Sequence, residues 1–530
     1  MNTYNASDFH SDKDSGQKVL SGMKSFFHSS LDIRFKSFFL MAVIFLFLPI
    51  AIFFMGYLRP LPGILFTTVL VTLVVFSVRD CRRDAEKALV MENDSLSVPM
   101  WFLFGTIFFA VAVTIVTGVG EFVWSTYDHA FRRAILRDLI SYKWPIVYDP
   151  STQSNPEVVE LLGITKPQGF VYYFTYWMPA ALTGKLFGFN FANVFLVLWN
   201  AFGIFLTLIG MCFFCRRTTM AAWFTYLCFD GMTFIPNLVH GIIPYSTLRW
   251  LEGYVPHMEF VSNYSNICNV FNQVIPCYLI VVLIMLSRNN RNTGLLGGAM
   301  FAYSPWATIG MIPIALVGLF RKKVRAGSAR QSVMNLLSPG NLIFPALALV
   351  VFGSFYESNS NAVKISGFTW KFYSNIGDYL LCYLVLIIIE IVPVALLALL
   401  GNRKNPFYWV SVGTLLVFPL YRISLQNDFL MRGTMPALFV LCILFCAAIP
   451  EYFKRKVLSR VVLFSCVAMS YVAVSMGVCV LAASFGSQKW PNDDIVSLGN
   501  ISTTEYVYTI KDQFFVEEYE DSFFFTYLAK

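Results

Sequence analysis

SFFLMAVIFLFLPIAIFFMGY, residues 37–57, contains no charged side chain. About 20 apolar residues in a helix rising 1.5 Å per residue match the roughly 30 Å hydrocarbon core of a bilayer. Similar runs recur along the whole chain, at 61–78, 100–118, 191–212, 219–239, 268–286, 341–355, 377–400, 407–420, 433–449 and 461–484. This pattern predicts an all-α polytopic membrane protein.

The composition supports the same class. Of 530 residues, 57% are hydrophobic and 13% are charged, against about 25% charged in soluble proteins. The net charge of +8 is explained by Lys and Arg in short loops, which set membrane orientation, and does not indicate nucleic-acid binding. The 11 cysteines show no CxxC or Cys/His ligand spacing, so neither a disulfide framework nor a zinc site is predicted.

Basic loops set the predicted orientation, because Lys and Arg are enriched on the cytoplasmic side. Residues 1–36 form a cytoplasmic segment, 37–484 the membrane domain, and 119–190 a large outer loop. The tail 485–530 falls on the outer face, where it could fold back as a small cap.

Two apolar segments fit this orientation only if neither makes a simple crossing. Residues 170–187 are expected to lie in the outer interface as amphipathic helix. Residues 294–320 are expected to enter and leave on the cytoplasmic side, as two short spans or a re-entrant hairpin turning at Ser304-Pro305. The total is about 11–13 membrane helices.

The outer loop carries the first candidate site, in EFVWSTYDHAFRRAILRDLISYKWPIVYD, residues 121–149. A helix over 125–141 would place Asp128 one turn before Arg132, and His129 one turn before Arg133. An Asp can act as a general base and an Arg can hold phosphate. A surface ion pair following a capping box at Ser125 explains the same residues.

The second candidate is YRISLQNDFLMRGTMP, residues 421–436, a short outer loop between two spans. Asp428 and Arg432 repeat the i, i+4 spacing, with Asn427 before them and Arg422 behind. The functional interpretation is a polar clamp in which Arg432 or Arg422 binds a phosphate. An interfacial ion pair at the end of a span is the structural alternative.

The third candidate is 248–273, LRWLEGYVPHMEFVSNYSNICNVFNQ, which mixes aromatics, amides and acids. Glu252, His257, Asn272 and Gln273 are the candidates for contact with a sugar or acceptor, and an interfacial aromatic belt is the alternative. Glu390 stands inside LVLIIIEIVPVALL. A carboxyl at that depth suggests function, although a protonated carboxyl bonded to backbone freed by Pro393 would suit the same place.

The layout resembles the GT-C superfamily of polytopic membrane glycosyltransferases. The resemblance lies in Asp128-His129 with Arg132-Arg133, in FVYYFTYWMPAALTGKLFG, in SPWATIGMIP and in QNDFLMRGTMPALFVL, and covers most of residues 100–450. It differs in two extra spans before the large loop and in His129 where many members have a second acid.

This resemblance implies transfer of a sugar from a polyprenyl-phosphate-linked donor to a glycan, lipid or protein acceptor, at the outer face of the cytoplasmic membrane. It makes Asp128 the base or a metal-linked residue, with Mg²⁺ or Mn²⁺ as the cation in the second case. Arg132, Arg422 and Arg432 would neutralise the departing phosphate, with Asn427 and Asp428 beside them and His129 near the sugar. The alternative is a transporter or flippase of a lipid-linked saccharide, favoured by Glu390 and the broken segment 294–320.

Overall fold

The protein is described by a computed structural model covering residues 27, 29–87, 95–123, 125, 128–149, 166–239, 251–287, 290–320, 329–359, 365–424, 427–487, 497–498 and 513–530. The α-helices within this part are α1 Phe35–Tyr57, α2 Pro60–Lys87, α3 Met100–Val116, α4 Asp128–Ser141, α5 Met178–Phe187, α6 Phe189–Cys215, α7 Ala221–Cys228, α8 Phe234–Leu238, α9 Asn263–Leu286, α10 Thr293–Ala299, α11 Pro305–Phe320, α12 Ala329–Leu336, α13 Pro339–Ala348, α14 Ser354–Glu357, α15 Ile376–Leu386, α16 Val392–Leu399, α17 Pro406–Val417, α18 Asp428–Phe453 and α19 Lys456–Ser487.

The strands are short and lie at the ends of the helices. They are β1 Ser30–Arg34, β2 Ser95–Pro99, β3 Val147–Tyr148, β4 Gln168–Phe170, β5 Ser366–Phe368, β6 Tyr421–Ile423 and β7 Phe515–Val516. They pair antiparallel as β1–β2, β3–β4–β7 and β5–β6.

Eight helices in the described part are long and apolar enough to cross a membrane: Phe35–Tyr57, Pro60–Cys81, Phe189–Cys215, Asn263–Leu286, Val333–Glu357, Ile376–Leu399, Asp428–Phe453 and Lys456–Phe485. Shorter apolar helices cover Met100–Val116, Thr293–Ala302, Pro305–Phe320 and Pro406–Leu420. The chain is therefore an all-α multi-pass membrane protein, as its apolar runs predicted.

The predicted span at 219–239 is wrong. Helix α7 ends at Cys228, and α8 has only the five residues Phe234–Leu238. Phe229, after α7, has extended backbone angles, and neither helix alone reaches the length of a span. This break places Asp230 inside the bundle, where it is 3% exposed.

Helix α9 begins before the predicted 268–286 span and folds back on itself at Val270. Val270 has non-helical angles (φ −141°, ψ 42°). The Tyr278 hydroxyl donates to Asn263 Oδ1 at 2.7 Å. Since fifteen residues of straight helix would extend about 22 Å, the contact requires the two halves of α9 to lie side by side.

The predicted turn at Ser304 is confirmed. Helices α10 and α11 are antiparallel, because a Cβ on Gly318 would lie 3.0 Å from Thr293 Cγ2 at the far ends of the pair. Gly310 of α11 packs directly on α18, where a Cβ would come within 1.8 Å of the Gly433 carbonyl oxygen. This close approach sets the first turns of α18 against α11.

The described part of the C-terminal tail folds back onto the bundle as a cap, as expected. Strand β7 extends the β3–β4 pair, and the Lys530 amide donates to the Tyr57 carbonyl at 3.0 Å. The tail therefore lies on the face formed by α4, α5 and the turn between α1 and α2, hereafter the α4 face. Helix α5 has ten residues and is too short to cross, which agrees with the predicted interfacial position of 170–187.

Candidate functional site

Helix α4 begins at Asp128, three residues later than predicted, and residues 126–127 lie outside the described part. The predicted ion pair is present, with Asp128 Oδ2 3.4 Å from Arg132 Nη2. Asp128 is half exposed, whereas Arg132 is buried and also donates to the Asn269 carbonyl beside the break in α9. Asp128 at the solvent side and Arg132 at the break in α9 are thus one helical turn apart.

His129 is buried against the same break. Its Nε2 lies 2.9 Å from the Cys268 carbonyl oxygen and must donate, since a carbonyl can only accept. Burial, with the charge of Arg132 next in importance, lowers the pKa of His129 to about 3, so the ring is neutral at physiological pH. This placement favours a positioning role over the predicted sugar contact.

The second cluster sits at the start of α18. Asp428 Oδ1 is 3.7 Å from Arg432 Nη2, which confirms the i, i+4 pair, and Asp428 Oδ2 accepts from Ser424 Oγ at 2.6 Å. Asn427 is the N-cap of α18, and its Nδ2 donates to the His257 carbonyl at 2.8 Å. Both Asn427 functional groups are thus used within the protein.

Two tyrosines join the first and second clusters. The Tyr172 and Tyr173 ring centroids are 3.9 Å apart. Both tyrosines lie within electrostatic range of Arg132, and Tyr173 also lies within range of Asp428 and Arg432. We name this group the arginine site; its members are Asp128, Arg132, Tyr172, Tyr173, Asp428 and Arg432.

Polar groups at the arginine site are buried without a partner. Arg132 Nε and Arg432 Nε have no hydrogen-bond partner, although the two residues are only 8% and 9% exposed. Next along α9, both amide atoms of Gln273 and the Oδ1 atom of Asn272 are also unpaired. Each such group costs about 1–3 kcal/mol, so a concentration of them is typical of a site that binds a ligand.

A cleft opens on the other side of Arg132, between the turn after α3 and helix α4. Its volume is about 20 Å³, which is room for about one water-sized group. Gly118, Gly120 and Glu121 take positive φ values in this turn, which directs the Glu121 carboxylate toward α4. There Arg133 binds it through Nε–Oε1 and Nη1–Oε2 contacts, both 2.8 Å. The cleft is lined by Gly118, Val119, Gly120, Glu121, His129, Arg132, Arg133, Leu136, Trp177, Phe189, Asn193, Leu196 and Phe271.

Two residues of the third cluster lie elsewhere than predicted. Glu252 is buried and accepts from the Ser262 amide at 2.7 Å, within electrostatic range of Asp230 and Glu390. His257 is exposed beside the rings of Phe372 and Tyr373, at 6.1 and 5.5 Å between centroids. The segment 248–273 therefore does not form one pocket wall. Asn269 and Asn272 contact the arginine site, through the Asn269 carbonyl to Arg132 and through Asn272 Nδ2 to the Tyr173 carbonyl at 3.4 Å.

Arg422 joins the aromatic group around His257. Its guanidinium lies 4.6 Å from the Phe372 ring centroid, and its Nε donates to the Ser424 carbonyl at 3.3 Å. These contacts favour a structural role for Arg422 in the β5–β6 corner. Its assignment to phosphate binding remains a prediction.

Buried carboxyls gather around the break between α7 and α8. Thr233 Oγ1 lies 2.8 Å from Asp230 Oδ2 and 3.1 Å from Glu390 Oε1, and the Tyr254 hydroxyl donates to Glu390. A Cβ on Gly231 would fall 1.9 Å from Glu390 Oε2, so glycine lets the two segments meet. A small cavity of about 10 Å³ adjoins Asp230 and Glu390.

Sequence reasoning missed Tyr172, Tyr173, Glu121 and Asp230. The tyrosines lie in an aromatic run that is typical of an interfacial belt. Asp230 could have been predicted, because a carboxyl inside the expected 219–239 span indicates a functional residue for the same reason as Glu390.

The carboxylates of the arginine site are each paired with an arginine. In the part of the chain that the structure describes, no group of three or more His, Cys, Asp or Glu could hold a metal ion. This donor set does not fit a Mg²⁺ or Mn²⁺ site.

Comparison of the chain with protein-family models, curated proteins and solved structures finds no match.

Proposed function

We propose that the protein is a membrane glycosyltransferase of the GT-C type, and that the arginine site binds the phosphate of a polyprenyl-phosphate-linked sugar. The observation that carries the proposal is that Arg132 and Arg432, 300 residues apart in sequence, both lie within electrostatic range of Tyr173. Both are buried, and each has an unpaired Nε. Planar guanidinium groups bind phosphate oxygens strongly, and burial strengthens the interaction.

Transfer of a sugar from a polyprenyl phosphate needs positive charges beside the phosphate. The donor is a phosphodiester with one negative charge, and its leaving group is a phosphomonoester that carries nearly two above pH 6. Positive groups fixed where this charge develops lower the barrier more than they strengthen donor binding. Asp128 is ion-paired with Arg132 at the exposed edge, consistent with orienting that guanidinium.

A path for the lipid chain begins beside the arginine site. Helix α11 packs on α18 through Gly310 and Gly433, the residue after Arg432. From this level, α11 exposes Ile309, Ile312 and Leu316 along one side. A polyprenyl chain lying on this stripe, near the Ser304–Trp306 turn, would bring its phosphate to Arg432. The reaction would then occur on the α4 face, proposed to be the outer face of the cytoplasmic membrane.

The direct test is turnover of a donor by the purified protein in lipid nanodiscs. Supplied with a panel of polyprenyl-phosphate hexoses and a crude envelope extract as acceptor, the protein should release free polyprenyl phosphate, detected by chromatography. Heat-inactivated protein is the control. If no donor is consumed while labelled donor crosses the bilayer in liposomes, the transferase proposal is wrong.

Movement of the donor across the bilayer without its consumption would support a transporter of a lipid-linked saccharide. The observation that favours this alternative is the acidic group of Asp230 and Glu390 at the α7–α8 break. Buried acids beside broken helices are common in transporters. Glu390→Gln should then stop transport, whereas a transferase should keep its turnover in this variant.

A further inference from the structure

The cleft between α3 and α4 shares Arg132 with the arginine site but differs from it in character. Its walls are largely apolar and aromatic, including Leu136, Trp177 and Phe271. Trp177 is fully buried, and its Nε1 has no hydrogen-bond partner. This gives an unpaired donor among the groups that line the cleft.

The charges of the cleft compensate each other. Arg133 is neutralised by Glu121 through two 2.8 Å contacts, and Arg132 by Asp128 at 3.4 Å. His129 is neutral, and the residues from α6 and α9 that line the cleft carry no charge. Such a cleft does not select an anion, but its donors and carboxylate suit hydroxyl groups, which both donate and accept.

We propose that the α3–α4 cleft binds a neutral, hydroxyl-bearing acceptor, and that Glu121 removes the proton of the attacking hydroxyl. This inference rests on the glycosyltransferase function. The acceptor oxygen bonds to the anomeric carbon of the donor as the bond from that carbon to the phosphate oxygen breaks. The bonding electron pair leaves with the polyprenyl phosphate. The hydroxyl proton passes to the Glu121 carboxylate and then to water.

The environment of Glu121 suits a general base. Burial raises its pKa, and Arg133 opposes this effect, leaving the pKa at about 7. A base with this value is about half unprotonated at pH 7 and is basic enough to accept a proton. Because the carboxylate is the active form, transfer should rise with pH through about 7 and level off above it. Arg132, Arg133 and His129 are the charged or titratable groups lining the cleft with Glu121, and His129 stays neutral through this range.

The test of Glu121 compares it with Asp128 in nanodiscs, with a fluorescent polyprenyl-phosphate hexose as donor and octyl glucoside as neutral acceptor probe. Glu121→Gln keeps the size of the side chain and an oxygen for Arg133. It should lower kcat about 10²–10⁴-fold and remove the pH dependence near 7, with donor binding unchanged. Asp128→Asn should lower kcat by less than tenfold. Wild-type kcat and pH profile in Glu121→Gln would overturn the role of Glu121, and a larger loss in Asp128→Asn would assign it to Asp128.

Trp177 provides an independent test of acceptor binding. Trp177→Phe keeps an aromatic ring and removes the Nε1 donor, so KM for octyl glucoside should rise about tenfold with little change in kcat. Trp199→Phe is the matched control, because its Nε1 is also buried and unpaired but Trp199 does not line the cleft. Equal effects of the two substitutions, or a preference for octyl glucuronide over octyl glucoside, would overturn a neutral acceptor in the cleft. Failure of wild type to bind any donor would instead reject the transferase function.

Discussion

Replacing Arg432 with glutamine should lower the turnover of a polyprenyl-phosphate sugar by on the order of 10²–10³-fold, mostly in kcat. In the proposed reaction, this guanidinium binds the phosphate that gains a second charge as it departs. Its contribution is therefore larger in the transition state than in the bound donor. The measurement is release of polyprenyl phosphate under saturating donor, with donor affinity measured separately by fluorescence.

The fold should survive this change. Asp428 keeps its hydrogen bonds with Ser424, so removing Arg432 does not leave a buried carboxylate without a partner. Arg291→Gln is the matched control: it also removes an arginine from an ion pair, with Asp80 at 3.2 Å, at the other end of α2. If Arg432→Gln and Arg291→Gln release polyprenyl phosphate at the same rate, Arg432 does not bind the phosphate.

Both ion pairs of the arginine site were predictable because they are local. Asp128–Arg132 and Asp428–Arg432 follow from helical spacing alone. The turn at Ser304 was also predictable, since Pro305 removes a backbone donor. The resemblance also placed Arg132 and Arg432 at one phosphate. What could not be predicted is that Tyr172 and Tyr173 lie between the two pairs, because this depends on the packing of segments that are distant in sequence.

The break at Val270 shows a second limit. No proline or glycine stands at this position in NICNVFNQVIP, and Pro276 comes six residues later. Tertiary contacts hold the break instead: the carbonyls of Cys268 and Asn269, just before it, accept from His129 and Arg132 of α4. An apolar run can show that a segment is buried in the membrane domain, but cannot show that it turns back within it.

Asp138→Ala should destabilise the protein by about 3–5 kcal/mol, the usual cost of removing one partner from a buried charged network. The Asp138 carboxylate is fully buried and accepts from the Tyr148 hydroxyl at 2.7 Å, the Leu498 amide at 2.8 Å, Ser497 Oγ at 3.0 Å and Arg137 Nη1 at 3.1 Å. Alanine would leave these donors without their acceptor. Thermal unfolding in nanodiscs measures the effect.

Glu451→Ala is the control for Asp138→Ala, since it removes a largely exposed carboxylate paired with Lys454 and should change stability by less than about 0.5 kcal/mol. A melting temperature for Asp138→Ala equal to that of the control would contradict the assigned role. Asp138→Asn, which keeps one carbonyl oxygen, should fall between the two variants.

Asp138→Ala should also affect the arginine site, because Asp138 connects α4 to the tail, and the tail contacts Tyr172. The Val171 amide donates to the Phe514 carbonyl at 3.1 Å, and the Phe514 and Tyr172 ring centroids are 4.7 Å apart. Loss of Asp138 removes its hydrogen bonds with Ser497 and Leu498, so the tail should hold the segment before α5 less firmly. Turnover per folded molecule should then fall below wild type well under the melting temperature. An unchanged value would show that the tail stabilises the α4 face without positioning Tyr172.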